Sequence, residues 1–395
     1  MNVPLLDLHQ QMDGLRDEVM AAVAQVIDST QYILGPEVTR LEEAVAEYCG
    51  VGHAVGVSSG TDALLVSLMA LGVGPGDLVL TTPYSFFATM GSIVRVGALP
   101  VFADIQPDTM NIDPERMAEA LAQDRKSGGR IKAIIPVHLF GQCANMQRIQ
   151  ALAAKYGVPI IEDAAQAIGA DCPFGSDGQT TWQRAGAMGM AGCFSFFPSK
   201  NLGGIGDGGM VTTPDREFAE RLRVFRNHGA KPKYYHSYIG GNFRLDPMQA
   251  CVLRIKLRYL DAWHQARRNN AAVYRRLFSE AGLAGTSVTL PVAVHGDING
   301  SETRNYHIYN QFVIRVTRRD ALRQYLADNG VGCEVYYPLC LHQQECLQGY
   351  GDYGRQRYPE AERAASESLA LPIYPELTGA QLEYVVTTIA GFFRR

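Results

Sequence analysis

The sequence predicts an α/β protein with a mainly parallel sheet that helices cover on both faces. First, short apolar runs alternate with segments of helical apolar spacing through the N-terminal half of the chain. Second, these runs are typical of strands buried on both faces of a sheet. Third, a long stretch of helical spacing after residue 246 leads into a shorter C-terminal part. Together these features favour a large domain followed by a smaller one.

Each element of the predicted sheet rests on one of these patterns. Apolar residues recur at helical spacing over four segments, at 14–28, 37–49, 61–71 and 86–96. The predicted strands are the short apolar runs at 54–57, 78–80, 99–102, 131–137, 158–162, 192–197 and 209–213. A Gly-rich loop is expected at 171–190, just before the strand at 192–197.

The large domain is predicted to span residues 1–255, including the N-terminal helices, and the small α+β domain residues 256–395. One long helix over 246–281 should link them. The elements expected beyond it are a loop at 285–305, a strand at 308–314, a helix at 319–329, a loop at 340–360 and a helix at 379–392.

Composition and charge argue against several classes of function. The chain has 395 residues, is 47% hydrophobic and carries a formal net charge of −4, which is ordinary for a globular protein. This weak charge gives no reason to expect a nucleic acid or a membrane as a partner. The eight cysteines form no Cys-x-x-Cys pair and the first residues show no export signal. We therefore expect no metal site, and free thiols in the cytoplasm.

A candidate anion site lies at 58–63, Ser-Ser-Gly-Thr-Asp-Ala, where a predicted strand passes into a helix. Small residues here, Gly60 among them, let the backbone approach an anion closely, and a helix N-terminus offers unpaired N–H groups. An ordinary helix cap, made by Ser59 or Thr61, explains the same residues.

A second candidate site follows the strand that ends at Glu162. Asp163 comes next and Gln166 three residues later, at the carboxyl end of a strand, where open α/β sheets bind ligands. A carboxylate there can keep a pyridine nitrogen protonated, and an amide can contact a ring hydroxyl. The alternative is an aspartate that only caps the following helix.

Lys200 closes the string Phe-Phe-Pro-Ser-Lys at 196–200, directly after another predicted strand. A desolvated lysine has a lowered pKa and becomes a nucleophile that can form a Schiff base. A surface lysine in a turn is the alternative. Ser195 can contact a phosphate, or its hydroxyl can form a hydrogen bond within the sheet. An aromatic residue in the run 84–87, which contains Phe86, can stack on a flat ring or pack in the core. All these features lie at strand ends, and their combination predicts a pyridoxal phosphate (PLP) enzyme.

The chain resembles the DegT family of nucleotide-sugar aminotransferases, which belongs to fold type I of the PLP enzymes. The resemblance covers almost the whole chain. It implies that the sheet of the large domain has seven strands. The string Phe-Phe-Pro-Ser-Lys-Asn at 196–201 is close to diagnostic for the sugar enzymes. The matching motifs are 31–36, 59–64, 83–86, 137–142, 162–166, 194–201 and 241–245.

The resemblance implies a role for each residue of the cofactor site. Lys200 would form the Schiff base and shuttle a proton, and Asp163 would pair with the ring nitrogen. Gln166 would contact the ring hydroxyl and Phe86 the ring face. The residues implied for the cofactor phosphate are Gly60, Thr61, Ser195 and, from the neighbouring subunit of a homodimer, Asn242.

The resemblance also implies a set of substrate contacts. Arg244 would face the substrate from the same loop as Asn242, and His307, Tyr309 and Tyr337 match the sugar and nucleotide region. L-glutamate is the expected amino donor, and no arginine is assigned to its carboxylate.

The activity implied is amination of a UDP- or dTDP-linked keto-sugar, for surface polysaccharides or glycosylated products. Residues 141–146 and the region of Lys256 and Trp263 are similar to members that aminate C3, so a 3-oxo sugar is favoured. One alternative is a deoxysugar dehydratase of the same fold, against which Lys200 and the unclustered cysteines argue. The other is a non-catalytic, PLP-bound regulatory protein, which would not need Lys200, Asp163 and Gln166 intact.

Overall fold

The structure is a computed structural model that describes residues 1–176, 179–298 and 300–395. Its strands are β1 (His53–Val57), β2 (Leu78–Thr81), β3 (Leu99–Phe102), β4 (Ile131–Ile135), β5 (Ile161–Asp163), β6 (Asp171–Ser176), β7 (Gln179–Arg184), β8 (Ala191–Ser195), β9 (Gly209–Thr213), β10 (Phe312–Arg315) and β11 (Ser368–Leu371). Its helices are α1 (Leu8–Asp13), α2 (Arg16–Ser29), α3 (Pro36–Cys49), α4 (Gly60–Ala70), α5 (Phe87–Arg95), α6 (Pro114–Lys126), α7 (Met146–Tyr156), α8 (Arg216–Phe225), α9 (Pro247–Leu257), α10 (Leu260–Glu280), α11 (Arg319–Asp328), α12 (Pro359–Glu367) and α13 (Gly379–Phe393).

Seven strands form one mainly parallel sheet in the order β3-β2-β4-β5-β8-β9-β1. Parallel bridges from Ile134 to Ile160 and from Val137 to Asp163 join β4 to β5. Only β9 runs against its two neighbours among these seven strands. The predicted seven-stranded, mainly parallel sheet is therefore confirmed.

Helices cover both faces of this sheet, which explains the continuous apolar runs. Alternate residues of each strand point to opposite faces. Cys193 of β8, for example, packs in the cluster that contains α4, α5 and α8. The next residue, Phe194, is fully buried against α3, α6, α7 and α9.

The C-terminal part builds its own apolar cluster around the antiparallel pair β10–β11, with α10, α11 and α13 packed against it. Val3 also packs into this cluster and pairs with Val331, so the N-terminus lies on the C-terminal part. The boundary between residues 255 and 256 stays a prediction. No helix of the described residues is long and apolar enough to cross a membrane.

Two predictions of local structure are wrong. The single helix expected over 246–281 is two helices, because the chain turns at Arg258 and Tyr259. Both residues keep near-helical dihedral angles, so the apolar spacing continues across the break. The loop expected at 171–190 contains the hairpin β6–β7. Residues 177 and 178 of this predicted loop, and residue 299 of the loop predicted at 285–305, lie outside the described residues.

Candidate active site

A cavity of about 430 Å³ lies at the ends of β5 and β8 and at the beginnings of α4 and α5. It is the place where carboxyl ends of parallel strands and helix N-termini meet, as expected for ligand sites in open α/β sheets. Of the predicted site residues, those that line this cavity are Gly60, Thr61, Phe86, Asp163, Gln166, Ser195, Lys200 and Tyr337.

An irregular loop after β8 carries Lys200 into the cavity. The backbone N–H of Lys200 donates to the carbonyl of Phe197 over 2.8 Å, which closes a tight turn. A side chain at position 203 would place its Cβ 2.2 Å from the carbonyl oxygen of Pro198, so this position requires glycine. The buried Lys256 of α9 donates from Nζ to the carbonyl of Gly203 over 2.5 Å. The close approach of Pro198 to Gly203 and the hydrogen bond from Lys256 therefore both hold the loop in place.

The surroundings of Lys200 favour a neutral amine. Burial lowers the pKa of Lys200 to about 8, although the Asp163 carboxylate acts in the opposite direction. A lysine with such a pKa is a nucleophile near neutral pH. Burial also lowers the pKa of Lys256 to about 8, but Lys256 does not line the cavity. Position, not pKa, distinguishes the two lysines.

Asp163 is buried at the end of β5 and faces the cavity. Its Oδ2 accepts a 2.7 Å hydrogen bond from Oγ1 of Thr89, and its Oδ1 accepts from the N–H of Ala165 over 3.3 Å. Burial raises the pKa of Asp163, and the hydrogen bond from Thr89 is the first of the effects that lower it again. The carboxylate is thus held in place, and free lone pairs remain on both oxygens.

Glu162 points to the other face of the sheet and is completely buried. Its carboxylate accepts hydrogen bonds from the backbone N–H groups of Gly186, Met188 and Gly189. His138 lies 2.9 Å away through Nε2. Because Nδ1 of His138 accepts from a backbone N–H, its Nε2 is the nitrogen that donates to Glu162.

Gln166 is oriented by two protein contacts. Its Oε1 accepts from the N–H of Phe140 over 2.7 Å, and its Nε2 donates to the Tyr337 hydroxyl over 2.8 Å. The second amide hydrogen remains for a ligand. Tyr337 itself is buried, with its ring stacked on Phe140 and edge-on to Tyr84. Its hydroxyl oxygen accepts from Gln166, so Tyr337 orients this amide.

The beginning of α4 combines a helix cap with residues that line the cavity. Ser59 caps the helix by accepting from the N–H of Asp62 over 3.0 Å, so the interpretation as an ordinary helix cap holds for that residue. Gly60 and Thr61 come next, and the first N–H groups of a helix have no partner within it. A Cβ on Gly60 would lie 2.6 Å from Cβ of Ser195. Glycine therefore allows the beginning of the helix to lie in contact with the end of β8.

Phe86 exposes 60% of its surface at the edge of the cavity, so core packing does not account for it. Asn242 and Arg244 do not line the cavity of their own chain. Asn242 is exposed, and Arg244 donates to Oδ1 of Asn227 over 2.8 Å.

His307 and Tyr309 also lie outside the cavity. Both are buried, and their rings stack with centroids 3.8 Å apart. Nδ1 of His307 accepts from the N–H of Tyr309, and burial lowers the pKa of His307 to about 3. A single chain therefore does not bring these two residues to Lys200.

Some residues of the site were missed by sequence reasoning. Ser85, Asp207, Gln311 and Tyr336 line the cavity, and Thr89 supports Asp163 from behind. A sequence signal existed only for Thr89, which lies three residues after Phe86 in the helix predicted at 86–96. Gln311 and Tyr336 reach the site from the C-terminal part, over separations that sequence patterns do not reveal.

Comparison with known proteins identifies the family. The model of the DegT/DnrJ/EryC1/StrS aminotransferase family matches residues 13–390. The chain belongs to this aminotransferase family, which confirms the resemblance.

Three curated relatives cover nearly the full chain. A pleiotropic regulatory protein of Geobacillus stearothermophilus is 47% identical over 100% of this chain and 99% of its own. The UDP-N-acetyl-3-dehydro-alpha-D-glucosamine 3-aminotransferase of Acidithiobacillus ferrooxidans is 40% identical over 98% and 97%. The dTDP-3-amino-3,4,6-trideoxy-alpha-D-glucose transaminase of Streptomyces venezuelae is 39% identical over 100% and 97%.

Solved structures give the same fold. DesV of S. venezuelae, in complex with a ketimine intermediate, superposes with a TM-score of 0.88 at 39% identity, over 100% of this chain and 99% of DesV. NtdA of Bacillus subtilis, with bound cofactor PMP, has a TM-score of 0.86 at 28% identity, over 100% and 86%. The fold type I class predicted from the sequence is confirmed.

The lowered pKa of Lys200 leads to a pH prediction. In the protein without cofactor, reductive methylation of Lys200 by formaldehyde should rise with pH and reach half its maximum near pH 8, because only the neutral amine reacts. In Asp163→Asn the midpoint should fall, since the carboxylate that stabilises the ammonium form is gone. Peptide mass spectrometry measures the labelling. A midpoint near 10.4, as for a free lysine side chain, would contradict this view of the site.

Proposed function

We propose that the protein is a PLP-dependent aminotransferase that moves the amino group of L-glutamate onto a nucleotide-linked 3-keto-sugar. One observation carries the proposal: Lys200 and Asp163 line the same cavity at the strand ends. A nucleophilic amine and a buried carboxylate are the two groups that a pyridine aldehyde needs. The family and the relatives support the reaction and the class of substrate.

The residues of the cavity fit this cofactor. The N–H groups of Gly60 and Thr61, together with Ser195, would hold the phosphate, because they line the cavity at the N-terminus of α4. Asp163 would pair with the ring nitrogen and Gln166 would donate to the ring hydroxyl. The exposed ring of Phe86 would lie on the cofactor face.

When bound, PLP supplies an aldehyde for the amine and a ring that accepts electrons. Nucleophilic attack, proton transfer and positioning depend on residues of the protein. Nζ of Lys200 serves as nucleophile and then carries a proton to and from the substrate carbon, as its lowered pKa allows. Asp163 keeps a negative charge beside the ring nitrogen. The loop of Lys200, held by Lys256 at Gly203, limits where Nζ can move.

The choice of a 3-oxo sugar rests on the relatives and on the sequence. Two relatives are named for a 3-amino or 3-dehydro sugar, one linked to UDP and one to dTDP. The motif at 141–146 favours the same position. A nucleotide-linked sugar is large and polyanionic, so a wide cavity that opens to solvent suits it.

The charge of the cavity favours a homodimer. Among the described residues that line it, Lys200 is the only basic side chain, whereas cofactor and substrate both carry phosphates. Basic groups must then come from elsewhere. The loop that precedes Asn242 carries two basic residues, Lys231 and Lys233. In the same loop Tyr234 exposes 79% and Ile239 92% of its surface. We propose that this loop and Asn242 complete the partner's site.

The remaining features agree with an enzyme of the cytoplasm. The eight cysteines are free thiols, as a reducing compartment requires. The G. stearothermophilus relative is named a regulatory protein, a name that specifies no chemistry. A regulator would not need a lysine of lowered pKa that faces an open cavity. A dehydratase of this fold would carry His in place of Lys200 or hold an iron–sulfur cluster with clustered cysteines.

A substrate panel tests the function. Purified protein with PLP and L-glutamate should aminate a 3-oxo nucleotide sugar, with UDP-2-acetamido-3-oxo-glucuronate, a dTDP-3-oxo-6-deoxyhexose and their 4-oxo analogues as candidates. Mass spectrometry would detect an amino group in place of the keto oxygen. Lys200→Ala should abolish turnover, because proton transfer at the substrate carbon loses its base, whereas Lys155→Ala at an exposed site of α7 should not. Binding of PLP without turnover of any substrate would instead support a regulatory role.

A second experiment tests the shared site. Lys200→Ala and Asn242→Asp chains, each inactive alone, should form heterodimers with about half the wild-type activity, because one of the two composite sites is intact. Co-expressed chains with different tags allow purification of the heterodimer. Lys200→Ala paired with Asp163→Asn is the control and should stay inactive, since both residues serve one chain's cavity. Equal activity of the two pairings would remove Asn242 from the partner's site.

A further inference from the structure

A chain of two hydroxyl groups leads from the cavity to Asp163. Oγ of Ser85 lies 2.9 Å from Oγ1 of Thr89, and Oγ1 of Thr89 lies 2.7 Å from Oδ2 of Asp163. All three residues are buried, and Thr89 has no exposed surface. Ser85 lines the cavity, whereas Thr89 does not. The two hydroxyl groups therefore link the carboxylate of Asp163 to the cavity, in addition to the contact that the carboxylate makes with the cavity itself.

The number of protons fixes the direction of these hydrogen bonds. A hydroxyl has one hydrogen to donate, and an ionised carboxylate can only accept. When Asp163 is ionised, Thr89 must donate to it, and Ser85 must then donate to Thr89. The lone pairs of Ser85 are left facing the cavity. If Asp163 took up a proton, Thr89 could turn to donate to Ser85, and the hydrogen of Ser85 would point into the cavity.

Resting on the proposed function, we propose that Ser85 and Thr89 form a hydroxyl relay that keeps Asp163 ionised and so keeps the cofactor ring nitrogen protonated. Thr89 is a positioning residue, because it acts only through Asp163. Its hydrogen bond favours the charged carboxylate in a place where burial alone favours the neutral one. Donation from Ser85 polarises the Thr89 hydroxyl and strengthens that bond.

Other groups that face Asp163 cannot replace the relay. The amine of Lys200 stabilises the carboxylate by its charge, but it must give up this charge to act as a nucleophile. The N–H of Ala165 makes the longer contact, at 3.3 Å, to the other oxygen. Both ring nitrogens of His138 are engaged elsewhere, Nε2 by Glu162 and Nδ1 by the N–H of Ala144. Thr89 is the one short side-chain donor to Asp163 among the described residues.

The test replaces the hydroxyl of Thr89 without changing its shape. In Thr89→Val the signal of ¹⁵N-labelled PLP, measured by NMR on the reconstituted protein, should move toward the value of an unprotonated ring nitrogen. The Kd of PLP should rise about tenfold, as expected when a hydrogen bond to a charged group is lost. Thr89→Ser keeps the donor and should retain the wild-type signal and Kd. Ser85→Ala should shift both readouts in the same direction by less.

The outcomes separate the relay from the function itself. A wild-type protein that fails to bind PLP overturns the proposed function. If wild-type protein binds PLP with a protonated ring nitrogen and Thr89→Val does the same with equal Kd, only the relay is overturned. The relay is also overturned if Thr89→Ser loses protonation as Thr89→Val does, because then the hydroxyl is not the cause. Should Thr89→Val fail to fold, an unchanged signal in Ser85→Ala would count against the relay.

Discussion

The site depends on the burial of two adjacent carboxylates, Glu162 and Asp163, at the end of β5. Because neighbouring residues of a strand point to opposite faces, one carboxylate supports the scaffold and the other faces the ligand. Glu162 accepts hydrogen bonds from three backbone N–H groups and from His138, and so fixes the turn before β8. Each hydrogen bond to such a buried charged group contributes about 1.5–3 kcal/mol, so Glu162 ties the turn before β8 to the end of β5.

The strand that follows this turn leads into the loop of Lys200, which joins the scaffold to the cavity. β8 ends at Ser195, the fixed loop follows, and Lys200 returns to the cavity opposite Asp163. On the neighbouring side, Gly60 and Gly209 allow α4 to approach within contact of β8 and β9; a Cβ at Gly209 would lie 2.4 Å from the carbonyl group of Ser59. Close packing of the backbone thus sets the place of the N-terminus of α4 relative to the loop of Lys200.

Sequence reasoning predicted the groups that lie at strand ends, because the carboxyl ends of parallel strands must meet along one edge of the sheet. Lys200, Asp163 and Gly60 follow directly from that rule and from local motifs. It did not find Gln311 and Tyr336, which depend on how the C-terminal part packs. The substrate role expected for His307 and Tyr309 stays a prediction; within one chain both rings are buried and stack on each other. Local patterns give the position of a residue along a strand or helix, but not its packing across domains.

The most direct measurement asks which lysine holds the cofactor. Reduction of the PLP-loaded protein with borohydride, followed by proteolysis and mass spectrometry, would mark the attached lysine permanently. Two buried lysines have a pKa lowered to about 8, Lys200 in the cavity and Lys256 beneath its loop. The account predicts pyridoxyl modification of Lys200 alone. Modification of Lys256, or of no buried lysine, would contradict it.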